Sequence, residues 1–189
     1  MKRVLILLIA VISVSSVHAQ VRFGIRTGLN VTNLYSDDEF ATFKTGFQVG
    51  VVTNIAFNRF LSLQPGFHFA QMGAQKDNDI SMTLNYIQIP VNLQAKFGGF
   101  FLQTGPYLGY GIDVDTSRKS NNGTTTKTSS FEDVGAEPLD LGMGAALGGQ
   151  IGPVQMAFNT QYSLVSINKG SYPIKNLGLA FTVTYFFGR

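Results

Sequence analysis

The sequence predicts an all-β fold, an eight-stranded antiparallel transmembrane β-barrel in up-and-down meander order, on three observations. Eight segments carry apolar residues at every second position, with glycine, glutamine, asparagine and occasional lysine or arginine between them. That is the period of a strand with one oily and one polar face. The connections alternate long and short, as they do when a barrel keeps both termini on one side of a membrane. Only 13% of residues are charged against 44% hydrophobic, too few charges to wet the outside of a soluble barrel, so the oily face looks outward to hydrocarbon.

The first strand, residues 21–29, directs Val21, Phe23, Ile25 and Leu29 outward and Arg22, Gly24, Arg26 and Gly28 inward. Residues 45–55 send Phe47, Val49, Val51 and Ile55 out against Gly46, Gln48, Gly50 and Asn54. In residues 61–71, Leu61, Leu63, Phe67 and Phe69 face out while Ser62, Gln64, Gly66 and His68 face in. Residues 83–97 give the cleanest alternation, with Ile87, Ile89, Val91, Leu93 and Phe97 against Gln88, Pro90, Asn92, Gln94 and Lys96. The fifth strand, 101–112, sets Leu102, Leu108, Tyr110 and Ile112 opposite to Gln103, Gly105, Tyr107, Gly109 and Gly111. Strands at 139–151, 154–164 and 177–187 repeat the pattern, the last with Leu177, Leu179, Phe181, Val183, Tyr185 and Phe187 outward. Each is long enough for the roughly 9–11 residues that a tilted strand needs to cross a bilayer.

Long polar connections follow strands one, three, five and seven, at residues 30–44, 72–82, 113–138 and 165–176. Tight turns follow two, four and six, at Asn58-Arg59, Gly98-Gly99 and Gly152-Pro153. The long set is assigned to the cell exterior and both termini to the periplasm. Residues 120–126 of the longest connection form a polar tract too poor in apolar side chains to fold alone. Twelve of the 21 glycines fall on inward faces, which suits a narrow interior filled by side chains. Pro65, Pro90 and Pro106 run against the pattern. Each lacks a ladder N–H, and a closed barrel has no edge to put it on, so bulges or locally open pairing are expected there.

Residues 1–19 read as a signal peptide: Met1, Lys2 and Arg3, then an apolar run too short to anchor, then small residues before Gln20. The remainder, 20–189, is one barrel domain. Without Lys2 and Arg3, 12 basic side chains stand against 11 acidic ones, so the pI near 9.2 gives no case for a nucleic-acid partner. There is no cysteine, hence no disulfide or thiol chemistry.

An enzyme on such a rim would need histidine with serine or aspartate. The one histidine after the leader, His68, is read as a lumen hydrogen-bonding group, with Gln94 and Tyr107 as further polar lumen candidates. No catalytic, metal or cofactor residues are assigned. The Gly142 to Gly148 run puts its glycines on one strand face, without the strand-turn-helix context of a dinucleotide loop. The inward charges Arg22, Arg26, Lys44, Lys96, Asp113 and Asp140 form a candidate lumen charge network. It is read first as a salt-bridged plug and second as a narrow, weakly anion-selective conduit. Outward aromatics gather near the strand ends, Phe57, Phe97 and Phe187 at one end and Phe67, Phe69 and Tyr110 at the other, resembling interfacial girdles.

The run Tyr86-Ile87-Gln88-Ile89-Pro90-Val91-Asn92-Leu93, then Gly105-Pro106-Tyr107-Leu108-Gly109, resembles the small outer-membrane β-barrel family that includes PorT-like proteins of Bacteroidota. Asp140-Leu141-Gly142, Gln161-Tyr162-Ser163-Leu164 and the aromatic-rich last strand match as well, whereas Gly188 and Arg189 follow the terminal aromatic Phe187. The resemblance implies an eight-stranded barrel in the outer membrane, with a link to secretion machinery in some members. The expected function is a non-enzymatic outer-membrane scaffold that meets another envelope protein through its long loops, with membrane lipid as its other partner. A narrow solute pore is the alternative, and a soluble lipid-binding barrel the third reading.

Overall fold

A computed structural model of the chain describes residues 20–35, 42–76, 80–120, 123–131, 133, 136–166 and 175–188. The leader read in residues 1–19 lies outside them. The strands are β1 (Gln20–Tyr35), β2 (Thr42–Ala56), β3 (Leu61–Lys76), β4 (Ile80–Phe97), β5 (Phe100–Ser120), β6 (Gly123–Ser129), β7 (Leu139–Ile151), β8 (Val154–Ser163) and β9 (Lys175–Phe186). Eight of them close a barrel. The hydrogen-bonded order runs β4-β3-β2-β1-β9-β8-β7-β5, and β4 pairs with β5 to complete the ring. Every pairing is antiparallel, and β1 joins β9 from Gly24 opposite Phe186 to Tyr35 opposite Lys175.

The pleat translates the sequence alternation into two surfaces. Leu29 is 69% exposed and Asn30 beside it 4%; Phe158 is 71% exposed, while Gln64, Gln94 and Asp140 are at most 1% exposed. Leaving an aliphatic or aromatic side chain in water rather than burying it forgoes about 1.5–3 kcal/mol. A belt of Val, Leu, Ile and Phe exposed around the whole ring is therefore a surface for hydrocarbon. The inward set is small opposite large: a Cβ on Gly142 would stand 2.4 Å from the Tyr107 ring, and one on Gly148 would stand 2.5 Å from the Phe101 ring.

At one end the strands turn tightly, helped by Gly98 and Gly152 in left-handed conformation (φ 65° and 57°). At the other end they run on past the alternating segments. β3 and β4 continue to Lys76 and Ile80, so most of the connection expected at 72–82 is hairpin. β5 reaches Ser120 and pairs with β6 from Val114 opposite Ser129 to Ser120 opposite Gly123. The tract expected to stay unstructured is thus a strand for the most part. Threonine supplies the reason: Thr124, Thr125, Thr126 and Thr128 are β-branched and favour extended backbone without being apolar. Outside the bilayer nothing rewards an oily face, so alternation fades while the strand continues.

The three prolines sit at openings in the ladder where the register is kept. Pairing skips from Val52–Gly66 to Ile55–Leu63 beside Pro65, from Pro65–Val91 to His68–Gln88 beside Pro90, and from Pro90–Tyr107 to Leu93–Thr104 beside Pro106. Each proline is paired on its other side, with Val91, Tyr107 and Met143 respectively. The missing N–H therefore opens one ladder locally and leaves the neighbouring one intact.

The face assignment is testable. Val49→Arg and Leu179→Arg put a guanidinium on the exposed apolar belt and are expected to cost about 2–4 kcal/mol if they lie near mid-bilayer. Gln94→Arg, in the lumen, carries no such lipid penalty. Urea titration of folding into lipid vesicles measures the three, and outward arginines that fold as stably as the parent would invert the assignment.

Candidate functional site

The lumen is held by amides. Gln64 on β3 is its hub: its Oε1 accepts from the Arg26 guanidinium (3.1 Å) and from Gln103 (2.8 Å). Its Nε2 donates toward Gln94 (2.8 Å), Asn54 (3.0 Å) and Gln155 (3.4 Å). Ser62 donates to the same Gln94 oxygen at 2.8 Å, and Arg26 reaches Thr184 at 2.9 Å. One side chain thus ties β1, β2, β4, β5 and β8 to β3, with β9 joined through Arg26. In the middle of the barrel the space between Arg26, His68, Gln103 and Tyr107 is about 30 Å³, room for a water or two.

The charged candidates do not meet as a salt-bridged set. Arg26 is buried with neutral partners, and Arg22 lies over the Phe186 ring at 5.4 Å, near the tight turns, where Lys96 also sits. Asp140 is buried toward the opposite end, accepting from Ser163 (2.5 Å), Asn176 (3.0 Å) and Tyr107 (3.4 Å). Asp113 leaves the buried face altogether. β4 pairs Tyr86 with Gly111 and Asn85 with Asp113, so Ile112 is an extra residue in a bulge. Val114 takes the buried position, while Asp113 and Asp115 accept from Asn85 in the extended hairpins. Lys44 donates to Ser81 in that region, close enough to Asp115 to feel its charge. The two deeply buried ions, Arg26 and Asp140, are thus separated along the barrel, and neutral donors and acceptors serve each one locally.

His68 is buried between Gly50 and Gly66, where a Cβ would come within 2.6 and 2.8 Å of its ring. The charge that acts on it is the cation Arg26, not a carboxylate. Among the described residues no three His, Asp or Glu side chains come together to hold a metal.

Above Asp140 the long connection after β5 folds back as a lid. Phe131 is 3% exposed and packs edge-on against Tyr86 at 5.4 Å between ring centroids, within an apolar cluster of Met72, Leu84, Tyr86 and Val114. Gly111 makes room for it, since a Cβ there would lie 2.2 Å from the Phe131 ring. Backbone bonds pin the segment: Gly111 N–H to Pro138 O (2.7 Å) and Ala136 N–H to Phe131 O (2.8 Å). The sequence reading missed this lid, and its one signal was a lone aromatic in a polar stretch. It also placed Gln64 and Gln103 inward without their joint role, and left Phe101, Tyr86 and Phe186 out of the lumen, where all three are buried.

Two substitutions separate the seals. Gln64→Ala strands several buried partners, each orphaned group costing about 1–3 kcal/mol, so the unfolding free energy in detergent should fall by at least about 2 kcal/mol. Gly111→Val forces Phe131 out and should speed proteolysis around residue 131 while the barrel keeps its heat-modifiable electrophoretic mobility. A parent-like cleavage rate for Gly111→Val would show that Phe131 is not seated there.

The comparisons follow this geometry. No curated protein sequence matches the chain. Among solved structures, Neisserial surface protein A aligns at 14% identity over 87% of this chain and 97% of its own, with a TM-score of 0.56. Ail, the attachment invasion locus protein of Yersinia pestis, solved in complex with the heparin analogue sucrose octasulfate, aligns at 15% identity over 89% of this chain and 99% of its own, also at 0.56. These are likenesses of fold. The family model for the outer membrane protein beta-barrel domain matches residues 15–169, and on that match, with a closed eight-stranded ring, the chain belongs to the outer membrane β-barrel proteins.

Proposed function

We propose that this protein is a non-enzymatic surface scaffold, oriented with its long hairpins outside the cell and both termini in the periplasm, residues 1–19 having served as its export signal. The observation that carries this is the pairing of a closed lumen with a strand blade beyond it. Gln64 and its partners fill the middle and Phe131 packs over Tyr86 at the mouth, while β3, β4, β5 and β6 continue past the ring as one paired sheet. A barrel whose inside is occupied acts through its outside.

β6 supplies the contact edge. Among the described residues it pairs with β5 alone, so its far side offers backbone N–H and C=O groups to which an extended segment of another protein can add as a strand. The exposed side chains of Thr124, Thr126, Lys127 and Thr128 make that edge polar, which limits indiscriminate pairing. The partner is another envelope protein, and the PorT-like motifs in β4 and β5 are consistent with one belonging to secretion machinery. Ail, the attachment invasion locus protein, has a similar fold.

Replacing residues 117–128 by a short turn is expected to leave the barrel folded and to abolish photo-crosslinks to envelope proteins formed from position 125 in the parent. Crosslinks of the same mass from other loops of the truncated protein would remove the β6 edge from the contact. Planar-bilayer recording of the purified protein tests the pore reading: the filled lumen predicts no steady unitary current, and a current with anion preference would replace the scaffold by a conduit.

A further inference from the structure

The barrel is electrically polarised along its axis. All eleven Asp and Glu residues fall in or beside the connections β1–β2, β3–β4 and β5–β7: residues 37, 38, 39, 77, 79, 113, 115, 132, 133, 137 and 140. Among the described residues the short-turn half carries Arg22, Arg26, Arg59 and Lys96 and no Asp or Glu. Three of these cations line one recess of about 380 Å³ at the mouth, together with Gln20, Ala56, Phe57 and Asn58.

The recess is built to keep its charges apart and exposed to a guest. Arg22 is propped over the Phe186 ring at 5.4 Å and Arg59 over the Phe60 ring at 4.7 Å, so aromatic faces hold both guanidiniums. The Asn58 side-chain oxygen is committed to the backbone N–H groups of Phe60 and Leu61, at 2.8 and 2.9 Å. It shapes the turn and competes for neither arginine. Lys96 stands close enough to Arg22 to be repelled by it. Like charges facing one recess, with no carboxylate among the described residues that line it, are relieved by an anion with several acceptor oxygens, and guanidinium groups match a phosphoryl group in particular.

The level of the recess narrows the guest further. Phe57, Phe60, Phe97 and Phe100 flank the same two turns and are 39–71% exposed, an aromatic girdle of the kind that sits at headgroup depth. We propose that Arg22, Arg59 and Lys96 form a binding site for a phosphoryl anion at the short-turn mouth, supplied either by a phospholipid headgroup of the adjoining leaflet or by a free phosphate compound.

The test uses the full mature barrel in a maltoside detergent, which carries no phosphate of its own. Isothermal titration with inorganic phosphate, against chloride at matched ionic strength, reads the soluble source. Native mass spectrometry with phosphatidylglycerol against diacylglycerol reads the lipid source. Saturable phosphate binding, or selective retention of phosphatidylglycerol, supports the site and identifies which source fills it. Arg22→Gln/Lys96→Gln should weaken whichever is seen by about tenfold or more, the value of losing charge-assisted hydrogen bonds. Arg59→Gln, in an exposed turn outside the lumen packing, should weaken it as well and guards against misfolding of the double variant. Lys127→Gln, on β6, should change nothing. Phosphate binding no stronger than chloride together with equal retention of the two lipids, or retention unaltered in both cationic variants, would overturn the proposal.

Discussion

Everything in this chain depends on the pairing of β1 with β9, because hydrocarbon offers no partner for a backbone N–H or C=O. An open eight-stranded sheet would leave two rows of such groups facing acyl chains. Closing β1 onto β9 from Gly24 to Tyr35 removes both rows at once, and fixes in turn what the interior must be. A ring of eight strands is just wide enough to be filled by its own side chains. The inward residues therefore cannot be an arbitrary polar set. They must interlock in volume and draw most of their hydrogen bonds from one another.

Amides meet both demands better than charges do. A glutamine can donate and accept at once, so Gln64 serves Arg26, Gln94, Gln103, Asn54 and Gln155 from one position. A carboxylate in its place would accept only, and burying an ion pair carries a desolvation cost that mutual attraction offsets only in good geometry. The two deeply buried ions of the described lumen follow the same logic. Arg26 donates to an amide and a hydroxyl, and Asp140 accepts from two hydroxyls and an amide. Each is solvated by neutral dipoles, so neither depends on a partner of opposite charge at the far end.

The same physics decides which features were legible in the sequence. The ring, its order and the face of each strand follow from local alternation, because lipid and lumen act on every residue of a crossing strand; Ile87 through Lys96 needs no tertiary information. Where the strands leave the membrane that pressure ends: β6 could be seen only through the β-branching of its threonines, and the upper half of β3, which has no threonine, carries no such local signal. The Ile112 bulge is invisible for a different reason. It changes no residue type, yet moves Asp113 off the buried face and brings Val114 in. Contacts across the lumen are the least legible, since alternation says that Gln64 and Gln103 point inward but not that they touch. Phe131 was out of reach for local periodicity because its partners Tyr86 and Gly111 belong to other strands.

The lid and the blade are consequences of a single construction. β4 and β5 stay paired beyond the bulge, and the chain leaving β6 must come back over the mouth to begin β7 at Leu139. Phe131 lies on that return path, and its burial against Tyr86 spares a bulky apolar group from water. The lid therefore anchors the base of the blade. A pull on β6 would be transmitted through Ser129 and Ser130 to Phe131, whose seat is made of barrel residues. Seating Phe131 and bracing β6 are in this sense one packing event, which is why a polar segment of this length can hold a defined strand on a barrel whose lumen is filled by its own side chains.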